Sequence, residues 1–380
     1  MRLVPLAEFP VIALTLKLDA ISITMALLIS FLGFIIVRFS KNYLAGDDRQ
    51  SQFLSWMCLT LAAVLVLVLS GNLIILLGAW VTTSLCLHRL LLHYPDRDGA
   101  VFSARKKYVI SRLGDLCLCV AILLVYQNYG TLEFDALFAA VGAGKSAGLT
   151  PICFFLAACA ALKSAQFPFH GWLPDTMETP TPVSAFMHAG IINAGGFLVV
   201  RLSPLFVHAP LALYALAVLG TITAAFGAIV MLAQPSVKRS LAFSTIAQMG
   251  FMLLQCGLGA FGLALLHIVA HSLYKAHAFL HAGSTISAVP RAAIKLPIFA
   301  LSIGLLAGGL LVAGAATAWS IFLPSPLHQG GVFTVVLALA LAYGLARAWA
   351  AGGGIRIAMI STLAAAGMAA ASFALHFAAS

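Results

Sequence analysis

Twelve apolar runs, separated by short connections rich in Gly, Pro and charge, leave this chain few folds to adopt. They lie at about 19–37, 53–69, 72–92, 108–126, 150–167, 184–200, 210–232, 241–259, 261–286, 296–320, 331–346 and 357–378. An α-helix needs about 20 such residues to cross ~30 Å of hydrocarbon. Inside lipid only helices and closed barrels satisfy their own backbone. Connections such as Gly46-Asp47-Asp48, Pro95-Asp96-Arg97-Asp98-Gly99 and Gly352-Gly353-Gly354 punctuate the runs. Of 380 residues, 62% are apolar and 8% charged, with a mean hydropathy of +1.06. Soluble domains carry about 25% charged residues. A soluble enzyme, a disordered chain and a nucleic-acid-binding domain are therefore excluded, despite the net charge of +10. The fold class that remains is all-α: a polytopic transmembrane helical bundle of about 12 helices, one domain over 1–380.

The basic residues orient it. The connections after the first, third, seventh, ninth and eleventh runs hold Arg38, Lys41, Arg49, Arg97, Arg105, Lys106, Lys107, Lys238, Arg239, Arg291, Lys295, Arg347 and Arg356. The opposite side holds Arg2, Lys17, Lys145 and Arg201. This asymmetry places the basic connections inside and the N-terminus outside. The seven cysteines all fall within apolar runs and are odd in number, which fits small packing residues better than disulfides or a zinc ribbon.

Three clusters carry charge where charge is expensive, and such residues are functional candidates. Arg112 and Asp115, three apart in the fourth run, form an ion pair that is either functional or a structural anchor. Lys163 lies in the fifth run, ahead of a segment with Pro168, Pro174, Pro180 and Pro182 and the next helix with His188. Prolines break helices, and broken backbone at membrane depth lines cavities or is buried in protein. The alternative is a lysine that snorkels to the interface. His267, His271 and Lys275 form one helical stripe, with His277 and His281 beside it. This pattern points to a proton wire; a metal pair or a polar packing seam are the alternatives. The last 202 residues contain no Asp or Glu, which disfavours a carboxylate-built cation site there. Gly257-Leu-Gly259-Ala-Phe-Gly262 matches a nucleotide loop by letter, but no strand precedes it.

Lys163-Ser-Ala-Gln166 through Trp172-Leu-Pro174-Asp175, Pro180-Thr-Pro182-Val-Ser-Ala and His188-Ala resemble the antiporter-like membrane subunits of respiratory complex I and of Mrp cation/proton antiporters. Arg112-Leu-Gly-Asp115, Lys238-Arg239 through Gln248-Met-Gly250, and His267 through Ala276 with Gly283-Ser284 extend the resemblance from about Leu18 to Ser287. It implies the antiporter-like complex I subunit fold, with broken helices and a core proton-translocation region over 108–286. It also implies a proton pathway through Arg112, Asp115, Lys163, His188, Lys238, His267, His271 and Lys275. His170, Asp175 and Glu178, on the inner connection, would receive protons or contact a partner. Three departures separate the chain from complex I. Val81 follows Trp80 where a glutamate partner for the lysine is expected, the chain starts at the family's third helix, and 296–380 forms divergent C-terminal helices with no lysine in its spans.

Phe167-Pro-Phe-His170-Gly-Trp172, Met177-Glu178-Thr-Pro180 and His188-Ala-Gly-Ile-Ile-Asn193-Ala-Gly-Gly-Phe197 resemble the DabB branch, as does Gly78-Ala-Trp80 with Ser84-Leu-Cys-Leu-His88-Arg89. That branch supplies the membrane subunit of DAB inorganic-carbon uptake complexes. The resemblance implies a non-catalytic, multi-pass subunit of the bacterial inner membrane that conducts H+ or Na+. It would have no cofactor of its own and a cytoplasmic, zinc-containing, carbonic-anhydrase-like DabA partner. A complex I-type or Mrp-type subunit and a passive membrane anchor are the rival expectations.

Overall fold

The computed structural model describes residues 2–5, 13–282, 298–322, 338–339, 341–346, 359–363 and 365–367. They fall in two compact units, Met1–Ile286 and Ser287–Ser380.

The first unit opens on a two-stranded antiparallel hairpin, β1 (Arg2–Pro5) with β2 (Ala13–Thr15), which a purely all-α expectation leaves out. The chain then runs through α1 (Ala20–Tyr43), α2 (Gln50–Leu69), α3 (Leu73–Leu91), α4 (Asp98–Tyr129) and the short α5 (Phe134–Gly142). It continues with α6 (Leu149–Lys163), α7 (Trp172–Asp175), α8 (Thr181–Ala189), α9 (Ala194–Arg201), α10 (Ser203–Phe206), α11 (Pro210–Leu232), α12 (Val237–Gly257) and α13 (Phe261–His281). Local chemistry sets several boundaries. Asp19 caps α1 by accepting from Ser22 N at 2.9 Å, and Asn72 caps α3 by accepting from Ile74 N at 2.7 Å. Gly130, at φ +68°, closes α4 in the left-handed conformation that glycine adopts without strain. Among the described residues, seven helical segments are long and apolar enough to cross a membrane: α1 to α4, Thr181–Arg201, α11 and α13. Large apolar side chains such as Leu27, Phe34, Ile229 and Leu232 stand exposed on them, as lipid contact requires.

Five features differ from the reading of hydropathy and charge. The fourth helix starts at Asp98 rather than near 108, and Lys107, counted as a connection charge, lies within it and is buried on its packed face. The nine-residue α5 was not expected, since it is too short to register as a span. The fifth helix ends at Lys163 rather than at 167. The sixth is interrupted: α8 stops at Gly190, a 3-10 turn covers Ile191–Asn193, and α9 resumes. Arg201, counted among the outer charges, is buried at the end of α9, where it pairs with Asp19 at 2.6 Å and donates to Ser22.

The two ends of the first unit carry different partners. Toward the N-terminal end, Lys17 pairs with Asp135, and Arg201 with Asp19. At the other end, Tyr94 donates to Asp47 at 3.0 Å and Lys106 pairs with Asp175 at 2.9 Å. The backbone hydrogen bond from Arg49 lowers the Asp47 carboxyl below its ordinary value, and Tyr94 and His93 add to this. These groupings match the expected alternation of connections. The Thr181–Arg201 segment is the most enclosed span, with 89% of its apolar window buried, so the break at Gly190 lies in the protein interior. The antiparallel pair α11 and α12 packs almost backbone to backbone: a Cβ on Gly220 would lie 2.6 Å from Gly250 O. Small residues permit such approach in lipid, where packing rather than hydrophobicity holds helices together.

In the second unit, α14 (Ile298–Phe322) matches the expected tenth span. A Cβ on its Gly308 would lie 2.7 Å from Ala338 O, so this face of α14 packs tightly. The eleventh and twelfth expected spans, 331–346 and 357–378, lie largely outside the described residues; those that are described within them are helical.

Candidate functional site

Lys163 is the last residue of α6 and is 7% exposed. Its position answers the snorkelling alternative differently from the sequence argument. The lysine does sit at a helix end, yet that end is buried. Its Nζ lies 4.6 Å from the Trp80 ring centroid, and it has no hydrogen-bond partner among the described residues. A cation over an aromatic face is stabilised by the ring quadrupole, and the carbonyl end of α6 adds favourable negative potential. Asp115 and Arg112 are within electrostatic range. Arg112 Nη2 and Asp115 Oδ2 stand 2.7 Å apart, but their angles do not make a hydrogen bond, so the carboxylate keeps free acceptor capacity. A small cavity lined by Thr83, Lys163, Gly190 and Ala194 joins the lysine to the break in the next span.

The chain leaves α6 through a strained turn. Ala165 adopts φ +48°, a left-handed conformation that costs a non-glycine residue energy and persists only where surroundings fix it. The fixing contacts are polar. Ser164 Oγ donates to Ile192 O at 2.8 Å, and Gln166 Nε2 donates to Ser164 O at 2.9 Å. Gly195 lets α9 close on α6, since a Cβ there would collide with Ala160 O and Ser164 Oγ. The two helix breaks thus face each other and share a hydrogen bond.

The second group of polar side chains joins α8, α12 and α13. Lys275 is fully buried, and its Nζ donates to Leu241 O at 3.1 Å. Thr245 Oγ1 donates to the same carbonyl at 3.1 Å and lies 3.0 Å from His188 Nδ1. Thr245 has one hydroxyl proton, so His188 Nδ1 must carry the hydrogen of that contact. His188 Nε2 is left bare, while its ring stacks on Phe279 at 4.4 Å. His271 lies against the His188 backbone and 6.0 Å, centroid to centroid, from His267. His267 Nδ1 meets Gln255 Oε1 at 2.9 Å. All three imidazoles present an Nε2 with no partner among the described residues, positioned to accept a proton.

The predicted residues therefore sort into two groups rather than one row. Arg112, Asp115 and Lys163 gather on α4 and α6; His188, His267, His271 and Lys275 gather on α8 and α13. The paired break stands between them. Lys238 joins neither group: it lies half-exposed in the first turn of α12. His277 and His281 stack on each other at 5.6 Å on an exposed face. The inner segment with His170, Asp175 and Glu178 is folded rather than a loose connection, with Trp172, Leu173 and Pro174 buried. Asp175 pairs with Lys106, and exposed Glu178 abuts Gly99. His170 packs 4.6 Å from the Phe226 ring; burial, with the Lys106 charge adding, pushes its imidazole below the ordinary range.

Sequence reasoning missed several members. Thr245, Gln255 and Ser272 are ordinary helix residues by pattern, yet they hold His188, His267 and Asn193; Asn193 Nδ2 donates to Ser272 Oγ at 2.8 Å. Lys107, 3% exposed, was hidden among the charges of an inner connection. For Lys107 the available signal was its recurrence with Ser111 and Asp115 at every fourth residue.

Two family models match the sequence. That of the NADH:quinone oxidoreductase/Mrp antiporter membrane family covers residues 70–307. That of the NADH-ubiquinone oxidoreductase (complex I) chain 5 N-terminus covers 7–54. The chain is 41% identical over 336 residues to the probable inorganic carbon transporter subunit DabB2 of Halothiobacillus neapolitanus, covering 87% of this chain and 61% of that protein. It is 45% identical over 270 residues to the probable subunit DabB of Hydrogenovibrio crunogenus, covering 70% and 52%. It thus spans about half to three fifths of the length of these relatives. The structure of the Mrp complex from Dietzia sp. DQ12-45-1b is similar with a TM-score of 0.74 and 27% identity, over 97% of this chain and 44% of that one.

Proposed function

This chain belongs to the NADH:quinone oxidoreductase/Mrp antiporter membrane family, and on that premise we propose that it conducts protons to drive inorganic-carbon accumulation. It is a multi-span membrane protein of antiporter-like fold, and relatives named as inorganic carbon transporter subunits are 41% and 45% identical to it. One observation carries the reading: a lysine ammonium, Lys163, buried at a helix break, with imidazoles on the far side of that break whose Nε2 atoms have no partner among the described residues. Such a group has no packing purpose that an apolar side chain would not serve better, since a buried unpaired charge is strongly unfavourable.

In this reading the chain performs no bond chemistry and holds no cofactor. Its partner is a DabA-like cytoplasmic zinc protein resembling carbonic anhydrase, which traps CO2 as bicarbonate, and the pair sits in a bacterial inner membrane. The energetics suffice: a charge crossing 100 mV yields ~2.3 kcal/mol, enough for a roughly 40-fold concentration ratio. The alternative, a subunit that pumps protons or exchanges Na+ for H+ as in complex I or Mrp, is favoured by the Mrp-like fold. Against it stands Val81 beside Trp80, where the complex I resemblance calls for glutamate.

The test is bicarbonate accumulation in cells carrying the full assembly, with Lys163→Ala against the unaltered chain. Loss of accumulation with the assembly still formed is expected. Accumulation intact in Lys163→Ala would leave the chain a passive anchor. Cation exchange without any carbon accumulation would favour the Mrp-type reading.

A further inference from the structure

Lys107 belongs to none of the expected site residues, yet it is more deeply buried than Lys163. Its Nζ donates to Ser84 O at 2.8 Å and to Ser84 Oγ at 3.0 Å. Lys163, Arg112 and Asp115 lie within its electrostatic range. Two acceptors satisfy the two N–H bonds of a neutral amine and leave its lone pair free, whereas an ammonium would leave one N–H over.

The arrangement follows from α3. Trp80, Ser84 and His88 recur every fourth residue and so line one face of that helix, about 6 Å apart along its axis. Lys163 rests on Trp80, Lys107 on Ser84, and the His88 imidazole completes the row in the last turn of α3. His88 lies 5.2 Å, ring to ring, from Tyr108, the residue after Lys107, and its Nδ1 is a buried atom with no partner among the described residues. It also feels the charges of Lys107, Arg89 and Arg112. Beyond His88 lies the connection that ends α3, on the side of Asp47, Tyr94 and Arg97.

We propose that Lys107, held by Ser84, carries protons between Lys163 and His88, making the Trp80–Ser84–His88 face of α3 the branch from the central lysine to the inner surface. The inference rests on the proton-conduction reading above. In one hop the Lys163 ammonium loses a proton to the neutral Lys107 amine, directly or through one water, so one N–H bond breaks and one forms. Lys107 then protonates His88 at its bare nitrogen, and His88 releases a proton to inner water. The path runs equally in reverse. It places basic amines and an imidazole on the α3 face that, one residue away at Val81, lacks the acidic partner of the complex I subunits.

Proteoliposomes carrying the full assembly, with a pH gradient followed by a fluorescent dye, test it. Lys107→Met and Lys107→Gln are expected to cut proton flux by about tenfold or more, as general acid–base groups do when removed. Lys107→His, which restores a titratable nitrogen, should recover flux with its pH profile moved to lower pH. A purely structural lysine would show the opposite order, Gln tolerated and His not. If Lys163→Ala abolishes flux while Lys107→Met and Lys107→Gln keep more than half, the inference is wrong and the conduction reading stands. If Lys163→Ala itself leaves flux intact, the conduction reading fails and this branch fails with it.

Discussion

The hydroxyl of Ser164 donates a 2.8 Å hydrogen bond to the carbonyl of Ile192, joining the end of one helix to the interruption of another. Each break leaves backbone groups without helical partners, and inside a membrane protein such groups must be satisfied locally. Here they are answered across the gap, and the same contact holds Lys163 and His188 on opposite sides of one junction. Ser164→Ala orphans the Ile192 carbonyl. The expected loss is about 1–3 kcal/mol of stability, seen as a lower melting temperature of the detergent-solubilised protein. An unchanged melting curve would show that the contact is dispensable.

Gly195 is required by close approach. An added Cβ would collide with Ala160 O and Ser164 Oγ. Gly195→Leu should prevent the folded protein from accumulating in the membrane. Gly142→Ala, where a Cβ meets nothing within 4 Å, should leave the yield unchanged. Equal yields for the two variants would contradict the packing argument.

Asp115 is the carboxylate that Arg112, Lys163 and Lys107 share. Asp115→Asn leaves Arg112 and the Lys163 ammonium without it, and uncompensated buried charge is costly. Proton flux should fall by about tenfold or more, with a reduced yield of folded protein; Asp115→Glu should restore part of both. Full flux in Asp115→Asn would remove this residue from the pathway.

Thr245 fixes which nitrogen of His188 bears hydrogen, through the 3.0 Å contact to Nδ1. Thr245→Val removes the acceptor and frees the ring to take the other tautomer. A several-fold drop in flux is expected, about 1 kcal/mol in barrier terms, with Thr245→Ser behaving as the parent. Equal flux for the Val and Ser variants would show that the tautomer does not matter.

His170 supplies a pH test outside the spans. Burial, and then Lys106, hold its imidazole below the ordinary value of 6.5, so the folded state binds this proton less readily than the unfolded chain. Its contribution to stability is complete above pH 6.5 and is lost as pH falls through the depressed folded value. Melting temperature should drop between pH 7 and pH 5, and His170→Phe should flatten that part of the curve. A curve of the same slope in the variant would assign the pH dependence to other groups.

How much of this was legible in the sequence depends on what each feature rests on. The spans follow from hydropathy alone, because a bilayer selects apolar length with little regard to neighbours. Lys163, His188, His271 and Lys275 stood out because charge is rare in such runs. Lys107 did not, because three adjacent basic residues at the start of a span look like an orientation signal; only the packing of α3 on α4 buries the third of them. The family resemblance implies a discontinuous region in the fifth and sixth helices, yet the place of the break in the sixth was equally hidden. Gly190 and Asn193 lie in an apolar stretch, whereas the prolines that drew attention occupy the segment before it.

The sequence by itself determined a multi-span helical membrane protein, its family resemblance and most of the buried polar side chains of the candidate site. Those depend on residue type and spacing along one chain. Tertiary structure decided that the side chains form two groups instead of one row, that two breaks close on each other through Ser164 and Ile192, and that Lys107 is buried on Ser84 within electrostatic range of Lys163. Each of these depends on which helix faces show themselves to which neighbours, and helical periodicity fixes a face without saying what it meets.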